Sequence, residues 1–288
     1  MDKKLFYLQA LSSWISEHTT EKILCKILGC SREHLFLLSD ISPSYLYEFQ
    51  KYLYDFQSGV PEAYILWEQE FYSRNFLCNS STLIPRKETE LLVEVLKNIC
   101  LTHANMNQSS YIDIGTGTSC ILSTLLLEIH PLRFCEIYWI DISDEILEFS
   151  QKNITLHWLR DIQLIRSSLL DAFLAQKDIK LSKNLYMSAN LPYIREGDTQ
   201  SMSSSVKAYE PDTALYGWNN TWFELYESLL KQCFLLKKVR DLQDIHLCVE
   251  IWYDQYEHSK RILSELWLRF EYFKDIHNIA RVIYITGF

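Results

Sequence analysis

The sequence predicts an α/β fold: a mostly parallel, doubly wound sheet, preceded by a small N-terminal helical bundle and a β-hairpin linker. Three observations lead there. Residues 1 to about 60 carry apolar side chains at helical spacing. Residues 64–84 alternate and are rich in Tyr, Phe, Leu and Ile. From residue 111 the chain runs strand, glycine turn, helix, strand, acidic residue, helix.

In the N-terminal part, Leu5, Leu8, Leu11 and Ile15 form one helical stripe, and Ile23, Leu24, Ile27 and Leu28 form another. Ser31 reads as a helix N-cap, with Glu33 and His34 in the first turn. Gly59-Val60-Pro61 breaks the helical pattern. In YILWEQEFYSRNFLCNSSTLI the turn is expected at Asn79-Ser80-Ser81. Pro85 then opens a helix with Leu91, Leu92, Val95 and Leu96 on one face.

Tyr111-Ile112-Asp113-Ile114 reads as a short buried strand and Gly115-Thr116-Gly117-Thr118-Ser119 as a tight turn. Ile121–Ile129 and Ile146–Leu156 read as helices, and Glu136–Ile140 as a strand closed by Asp141. Further strands are expected at Leu185–Ala189, His246–Ile251 and Arg281–Ile285, and a polar loop at Ser201–Ser205. The domain boundaries expected are 1–63, 64–84 and 85–288.

Composition limits the function. The chain has 288 residues, a net charge of −9 and 48% hydrophobic residues. The negative charge argues against stable, sequence-independent nucleic-acid binding, which needs a basic surface. No apolar run is long enough to span a membrane, and the N-terminus lacks a signal-peptide core, so a cytoplasmic protein is expected. None of the 8 cysteines forms a C-x-x-C pair, so no metal is expected.

Two constellations carry chemistry. Glycines at the strand-to-helix turn 115–119 let backbone approach a ligand, and Asp141 at the end of the next strand can accept from two ribose hydroxyls. A nicotinamide dinucleotide is disfavoured, because the third glycine of G-x-G-x-x-G falls at Cys120. The second is Asn190-Leu191-Pro192-Tyr193 after an apolar strand. It resembles the [N/D]-[P/L]-P-[Y/F] signature of amino methyltransferases, which implies a clamp for a planar amino group. The Asn190 oxygen and the Leu191 carbonyl each accept one N–H, Pro192 stiffens the loop, and Tyr193 stacks on the acceptor.

Gly59-Val60-Pro61-Glu62-Ala63-Tyr64-Ile65, Glu70-Phe71-Tyr72 and Leu83-Ile84-Pro85-Arg86-Lys87-Glu88-Thr89-Glu90 resemble the segment leading into the catalytic domain of the protein-(glutamine-N5) methyltransferases of the HemK/PrmC family. Lys87 departs from the usual L-I-P-R-P-E-T-E. Tyr209-Glu210-Pro211 with Ala214-Leu215-Tyr216-Gly217 resembles E-P-x-x-A-L-x-G-G, Glu250 through Gln255 resembles E-I-G-x-x-Q, and Asp275 with Arg281-Val282-Ile283 matches the closing motif. The resemblance covers roughly residues 59–288. It implies a Rossmann-like class I methyltransferase domain using S-adenosyl-L-methionine. Its substrate would be the Gly-Gly-Gln glutamine of a class-1 peptide chain release factor; the N-terminal helices, which fit the family by size and helicity, are expected to recognise that factor, and a monomer is expected.

Carried over residue by residue, cofactor contacts fall on Gly115, Thr116, Gly117, Thr118, Ser119, Asp141, Leu169 and Asn190. Acceptor and catalytic contacts fall on Asn190, Leu191, Pro192 and Tyr193. Ser119 replaces a family glycine, and Leu191 replaces the first proline of N-P-P-Y. N-L-P-Y is also the form found in rRNA adenine-N6 methyltransferases. That alternative predicts a basic chain with a helical domain after the catalytic one, whereas this chain is acidic and places its helices first.

Set against the family pattern, Trp67, Trp218, Trp222 and Trp252 stand where it has glycine, and Trp158 and Trp267 fall at loop positions that are usually glycine. Glycine numbers only 7, where average usage would give roughly 20. Tryptophan is a poor substitute where φ is positive. The pattern predicts a source that reads UGA as glycine.

Overall fold

The computed structural model describes residues 1–103, 106–192, 208–211 and 223–288. Its N-terminal part holds helices α1 (Lys3–Ser12), α2 (Glu17–Leu28), α3 (Arg32–Leu37), α4 (Leu46–Gln57) and α5 (Glu62–Leu66). Side-chain caps fix three of the starts. Asp2 accepts from Lys4 N, Ser16 from Thr19 N and Ser31 from His34 N. The buried residues of α1 are Phe6 and Ala10, which pack on Ile23, Leu24, Phe49 and Leu53. Leu5, Leu8 and Leu11, expected to face the core, are exposed. The stripe at i, i+3, i+6 lies on the outer side, and of the four only Ile15 is buried.

The hairpin is shorter than expected. Tyr64 to Leu66 belong to α5, and the strands are β1 (Glu68–Phe71) and β2 (Arg74–Leu77). The chain reverses at Tyr72 (φ 52°) and Ser73 (φ 58°), not at Asn79-Ser80-Ser81. Two consecutive left-handed residues give the twist that a two-residue hairpin loop needs. Asn79 instead forms its own local turn, with Oδ1 accepting from Ser81 N. Pro85 does not open a helix. A single 3₁₀ turn at Lys87–Thr89 precedes α6 (Glu90–Thr102).

The main sheet has the order β5-β4-β3-β6-β7-β9-β8. Strands β3 (Ser109–Ile114), β4 (Glu136–Asp141), β5 (Ile162–Arg166), β6 (Asn184–Ala189) and β7 (Asp244–Glu250) run parallel. Strands β8 (Arg269–Lys274) and β9 (Ala280–Thr286) close the far edge antiparallel. Between them lie α7 (Cys120–Glu128), α8 (Asp144–Leu156), α9 (Asp171–Ala175), α10 (Glu224–Arg240) and α11 (Tyr256–Glu265). β5 and β8 carry polar residues between their apolar ones, and neither stands out in the sequence as an apolar run.

Alternation in the parallel strands feeds two cores. Ile112, Ile114, Tyr138, Ile140, Leu185 and Met187 pack with α10 and α11 on one face. Tyr111, Ile137, Trp139 and Tyr186 pack with α6 and α7 on the other. Each fully buried Ile or Leu contributes roughly 1.5–3 kcal/mol. α10 carries Glu224 and Glu227 in its first turn and Lys237, Lys238 and Arg240 in its last, matching the helix dipole.

The chain winds from β3 outward to β5 and then returns to β6 on the other side of β3. The strand order therefore reverses between β3 and β6, and a ligand crevice is expected at their carboxyl ends.

Candidate active site

Gly115 to Ser119 lie directly beyond β3 at this reversal point. Ile140 O accepts from both Gly115 N (2.9 Å) and Thr116 N (3.0 Å), which folds the turn back over β4. Gly115 and Gly117 have φ of 67° and 53°. A β-carbon on Gly115 would come 3.1 Å from Leu191 Cδ2. Ser119 also stands at positive φ, 65°, and its hydroxyl donates to the Thr118 carbonyl.

Helix α8 holds the turn from outside. Ser150 Oγ donates to Gly117 O at 2.7 Å, and Asn153 Nδ2 donates to Thr118 O at 2.9 Å. Asn153 also exchanges two hydrogen bonds with the backbone of Leu77 in the hairpin. Asp113 faces the same turn from below. Its carboxylate accepts from Thr116 Oγ1 at 2.8 Å and from Ser188 Oγ. Burial pushes its pKa up to about 6, against these two hydrogen bonds.

Asp141 ends β4 and is almost wholly buried. Its two oxygens accept from Ser143 N (3.2 Å) and Gly117 N (3.3 Å). Burial raises its pKa, while the backbone donors oppose that. A carboxylate has about four lone-pair sites, so acceptor capacity remains for a hydroxyl beside the backbone donors of Ser143, Gly117 and Ile142. Leu169 lies in the loop after β5, at φ 49°, and packs against the core. That loop is tied to Asp141, whose carbonyl accepts from Ser167 N at 2.9 Å.

Asn190 follows β6 directly. Its Nδ2 donates to Thr89 Oγ1 at 3.3 Å, while its Oδ1 is buried with no hydrogen-bond partner among the described residues. Leu191 N donates to the Tyr226 hydroxyl (3.1 Å), which donates to Glu250 O (2.5 Å). One tyrosine thus joins the ends of β6 and β7. Pro192 follows, and Tyr193 lies outside the described residues.

The structure therefore gathers Gly115–Ser119, Asp141, Leu169, Asn190 and Leu191 at one end of the sheet. It adds Thr89, Ser150, Asn153, Tyr226 and Glu250, which the sequence alone does not single out as site residues. Thr89 and Glu250 sit inside the motifs quoted above, and Ser150 and Asn153 share one face of a helix as i, i+3 polar residues. Tyr226 gives no signal. Among the described residues, no group of three His, Cys, Asp or Glu side chains is placed to hold a metal ion. No helix among them is long and apolar enough to cross a membrane.

No protein-family model matches the chain. Among curated relatives, the release factor glutamine methyltransferase of Bacillus cereus is 30% identical over 276 residues, covering 93% of this chain and 92% of its own. That of Flavobacterium psychrophilum is 31% identical over 229 residues, covering 77% of each chain. The chain belongs to the release factor glutamine methyltransferase family. A family member is expected to carry the class I methyltransferase fold, and the seven-stranded sheet has it. The hMettl16 catalytic domain, solved with a 3′UTR hairpin, is 16% identical with a TM-score of 0.53, covering 86% of this chain and 92% of that one. At that identity the likeness speaks for the fold alone. Release factor glutamine methyltransferases align with this chain over its N-terminal helices as well as its sheet, since the Bacillus match spans nearly the whole length.

Proposed function

We propose that this chain methylates the side-chain amide nitrogen (N5) of the glutamine in the Gly-Gly-Gln loop of a class-1 peptide chain release factor, using S-adenosyl-L-methionine. The observation that carries the reading is Asn190 Oδ1, a buried acceptor without a partner among the described residues, beside the Gly115 turn in a chain of this family. A buried polar atom left open is costly unless a ligand satisfies it.

The residues fit the cofactor. Gly117 leaves open space where a side chain would stand, Gly115 lets Leu191 pack close, Asp141 offers lone pairs to ribose hydroxyls, and Leu169 offers an apolar contact. When bound, S-adenosyl-L-methionine supplies a methyl group already activated on a sulfonium. The chain's own task is to present the nitrogen. A glutamine amide is planar and its lone pair is delocalised. Asn190 Oδ1 accepts one of its N–H bonds and the Leu191 carbonyl accepts the other, holding the nitrogen in place and raising its electron density; the proton it gives up on methylation passes to solvent. Pro192 limits the loop, and Tyr193 is assigned a stacking role on the amide plane. The protein acts as a monomer in the cytoplasm, with residues 1–63 recognising the release factor, 64–84 as linker and 85–288 as the catalytic domain.

The test is incubation with labelled S-adenosyl-L-methionine and purified release factor, beside a factor whose Gly-Gly-Gln glutamine is changed to alanine. Label on the first and not the second is expected. Label on ribosomal RNA instead would overturn the reading in favour of an adenine acceptor. Asn190→Ala is expected to lower kcat by ~100-fold or more, as loss of a transition-state hydrogen bond does.

A further inference from the structure

Glu250 ends β7 with its side chain enclosed, and no role in the clamp accounts for it. The side chains of Thr89 and Asn190 face its carboxylate and favour its charged form, while its Oε2 has no hydrogen-bond partner among the described residues. Burial pushes its pKa up to about 7; Thr89, Arg281 and Asn190 oppose that and Glu88 adds to it. In its charged form, which dominates above pH 7, Glu250 is an acceptor only, whereas a threonine hydroxyl has one proton to give. Asn190 Nδ2 donates to the Thr89 oxygen at 3.3 Å, which leaves the Thr89 proton free to turn toward the Glu250 carboxylate. The amide of Asn190 is then fixed in one of two otherwise similar orientations, with Oδ1 turned to the open side.

We infer that Glu250 and Thr89 are positioning residues that set the orientation of the Asn190 amide, so that an acceptor rather than a donor faces the substrate. The inference rests on the proposed acceptor clamp. Glu250→Gln is nearly isosteric but can donate to Thr89, which removes the fixed polarity. Thr89→Val removes the relay, and Thr89→Ser restores it.

The experiment measures kcat, KM for release factor, S-adenosyl-L-methionine affinity and Tm, together with hydrogen exchange of the Asn190 side-chain NH2 in labelled protein. Glu250→Gln and Thr89→Val are expected to lower kcat by about 10- to 100-fold, with cofactor affinity and Tm nearly unchanged. Thr89→Ser should recover most of the rate. The Asn190 NH2 should exchange slowly in the wild type and faster in Glu250→Gln. Full kcat in Glu250→Gln, or unaltered exchange, would overturn the positioning role. No transfer by the wild type would sink the functional reading, and the exchange measurement would still judge the network.

A separate observation concerns the tryptophans. Eleven non-glycine residues among those described have positive φ, and four are tryptophan: Trp14, Trp67, Trp158 and Trp267, at 56° to 60°. All four are 55–93% exposed. Of the described tyrosines and phenylalanines, only Tyr72 has positive φ. Three of the tryptophans end helices in one way. Trp14 N donates to Leu11 O and Ile15 N to Ala10 O; Trp158 N donates to Thr155 O and Leu159 N to Ile154 O; Trp267 N donates to Ser264 O and Leu268 N to Leu263 O. Gly29 and Cys30 repeat that pattern after α2, with Gly29 at φ 61°. It is the helix ending that glycine favours. Trp67 caps α5 at φ 58°.

The geometry points to glycine as the natural residue at 14, 67, 158 and 267, written as tryptophan where the source's UGA codons encode glycine. Trp14, absent from the set marked by sequence, joins on its backbone. Trp139 is fully buried in β4 and is a true tryptophan. Trp252 has φ −81° and lies under the Arg281 guanidinium, so its backbone does not single it out. Trp218 and Trp222 lie outside the described residues.

The test reads the codons and the peptide masses of the protein from its own cells. UGA and glycine mass are expected at the four positions, and UGG at 139. UGG at the four would overturn the inference. Made with all four changed to glycine, the protein should gain about 2–4 °C in Tm per site, and an unchanged Tm would also count against it.

Discussion

Gly115 and Leu191 touch across the site: a β-carbon on the glycine would sit 3.1 Å from Leu191 Cδ2. The glycine turn and the acceptor segment are therefore packed against each other. Gly115→Ala must strain a residue at φ 67° and also push Leu191. A β-carbon on Gly117, at φ 53°, would meet nothing within 4 Å, so Gly117→Ala carries only the backbone cost of about 1–2 kcal/mol. Gly115→Ala is expected to weaken cofactor binding at least tenfold and raise KM for the release factor as well. Calorimetric titration and steady-state kinetics of the two variants check this, and equal effects would contradict it.

Arg86 Nη2 lies 2.5 Å from Glu210 Oε1, and the Glu210 side chain is almost fully enclosed. This pair ties the segment before α6 to the stretch around Tyr209, whose hydroxyl donates to Ser58 O at 2.8 Å. Arg86→Ala leaves a buried carboxylate unpaired and is expected to cost about 3 kcal/mol. Glu210→Gln in the same background should return part of it. Urea unfolding of the single and double variants measures both.

His246 is stacked on Tyr186 at 4.5 Å, and its Nδ1 is 2.6 Å from the Tyr284 hydroxyl. Burial, then His103 and Arg269, lower its pKa from 6.5 to about 4, with Asp244 opposing. The unfolded chain takes up the proton near 6.5 and the folded chain only near 4. Its contribution is thus whole above pH 6.5 and is lost as pH falls toward 4. The loss is roughly 2 kcal/mol once partial exposure is allowed for. Denaturant unfolding between pH 7.5 and 4.5 should show this slope, and His246→Phe should flatten it.

Ser119 holds a left-handed conformation that glycine adopts without strain. Ser119→Gly is expected to stabilise the protein by up to about 1 kcal/mol and leave cofactor affinity equal or better. Thermal unfolding with and without S-adenosyl-L-methionine checks it.

The parallel strands β3, β4 and β6 are legible because each is a run of apolar residues ended by Gly115, Asp141 or Asn190, where chemistry and strand end coincide. β5 and β8 are not, because Gln163, Arg269 and Glu271 interrupt them at the sheet's two edges. The hairpin turn is misplaced by sequence because Tyr72 and Ser73 are not strong turn-forming types, while Asn79 is. The stripe of Leu5, Leu8 and Leu11 misleads because periodicity marks a face without saying whether that face meets the core. Gly115, Asp141 and Asn190 are readable as motifs. Thr89, Tyr226 and Glu250 come together only when the strand ends do, and no spacing in the chain announces that.

The side chain of Asn153 has one further implication. It bonds both backbone groups of Leu77 in the hairpin and the carbonyl of Thr118 in the glycine turn. Two segments far apart in sequence thus share one anchor, and loosening either strains the other. A load on the hairpin is passed to the glycine turn through one buried amide.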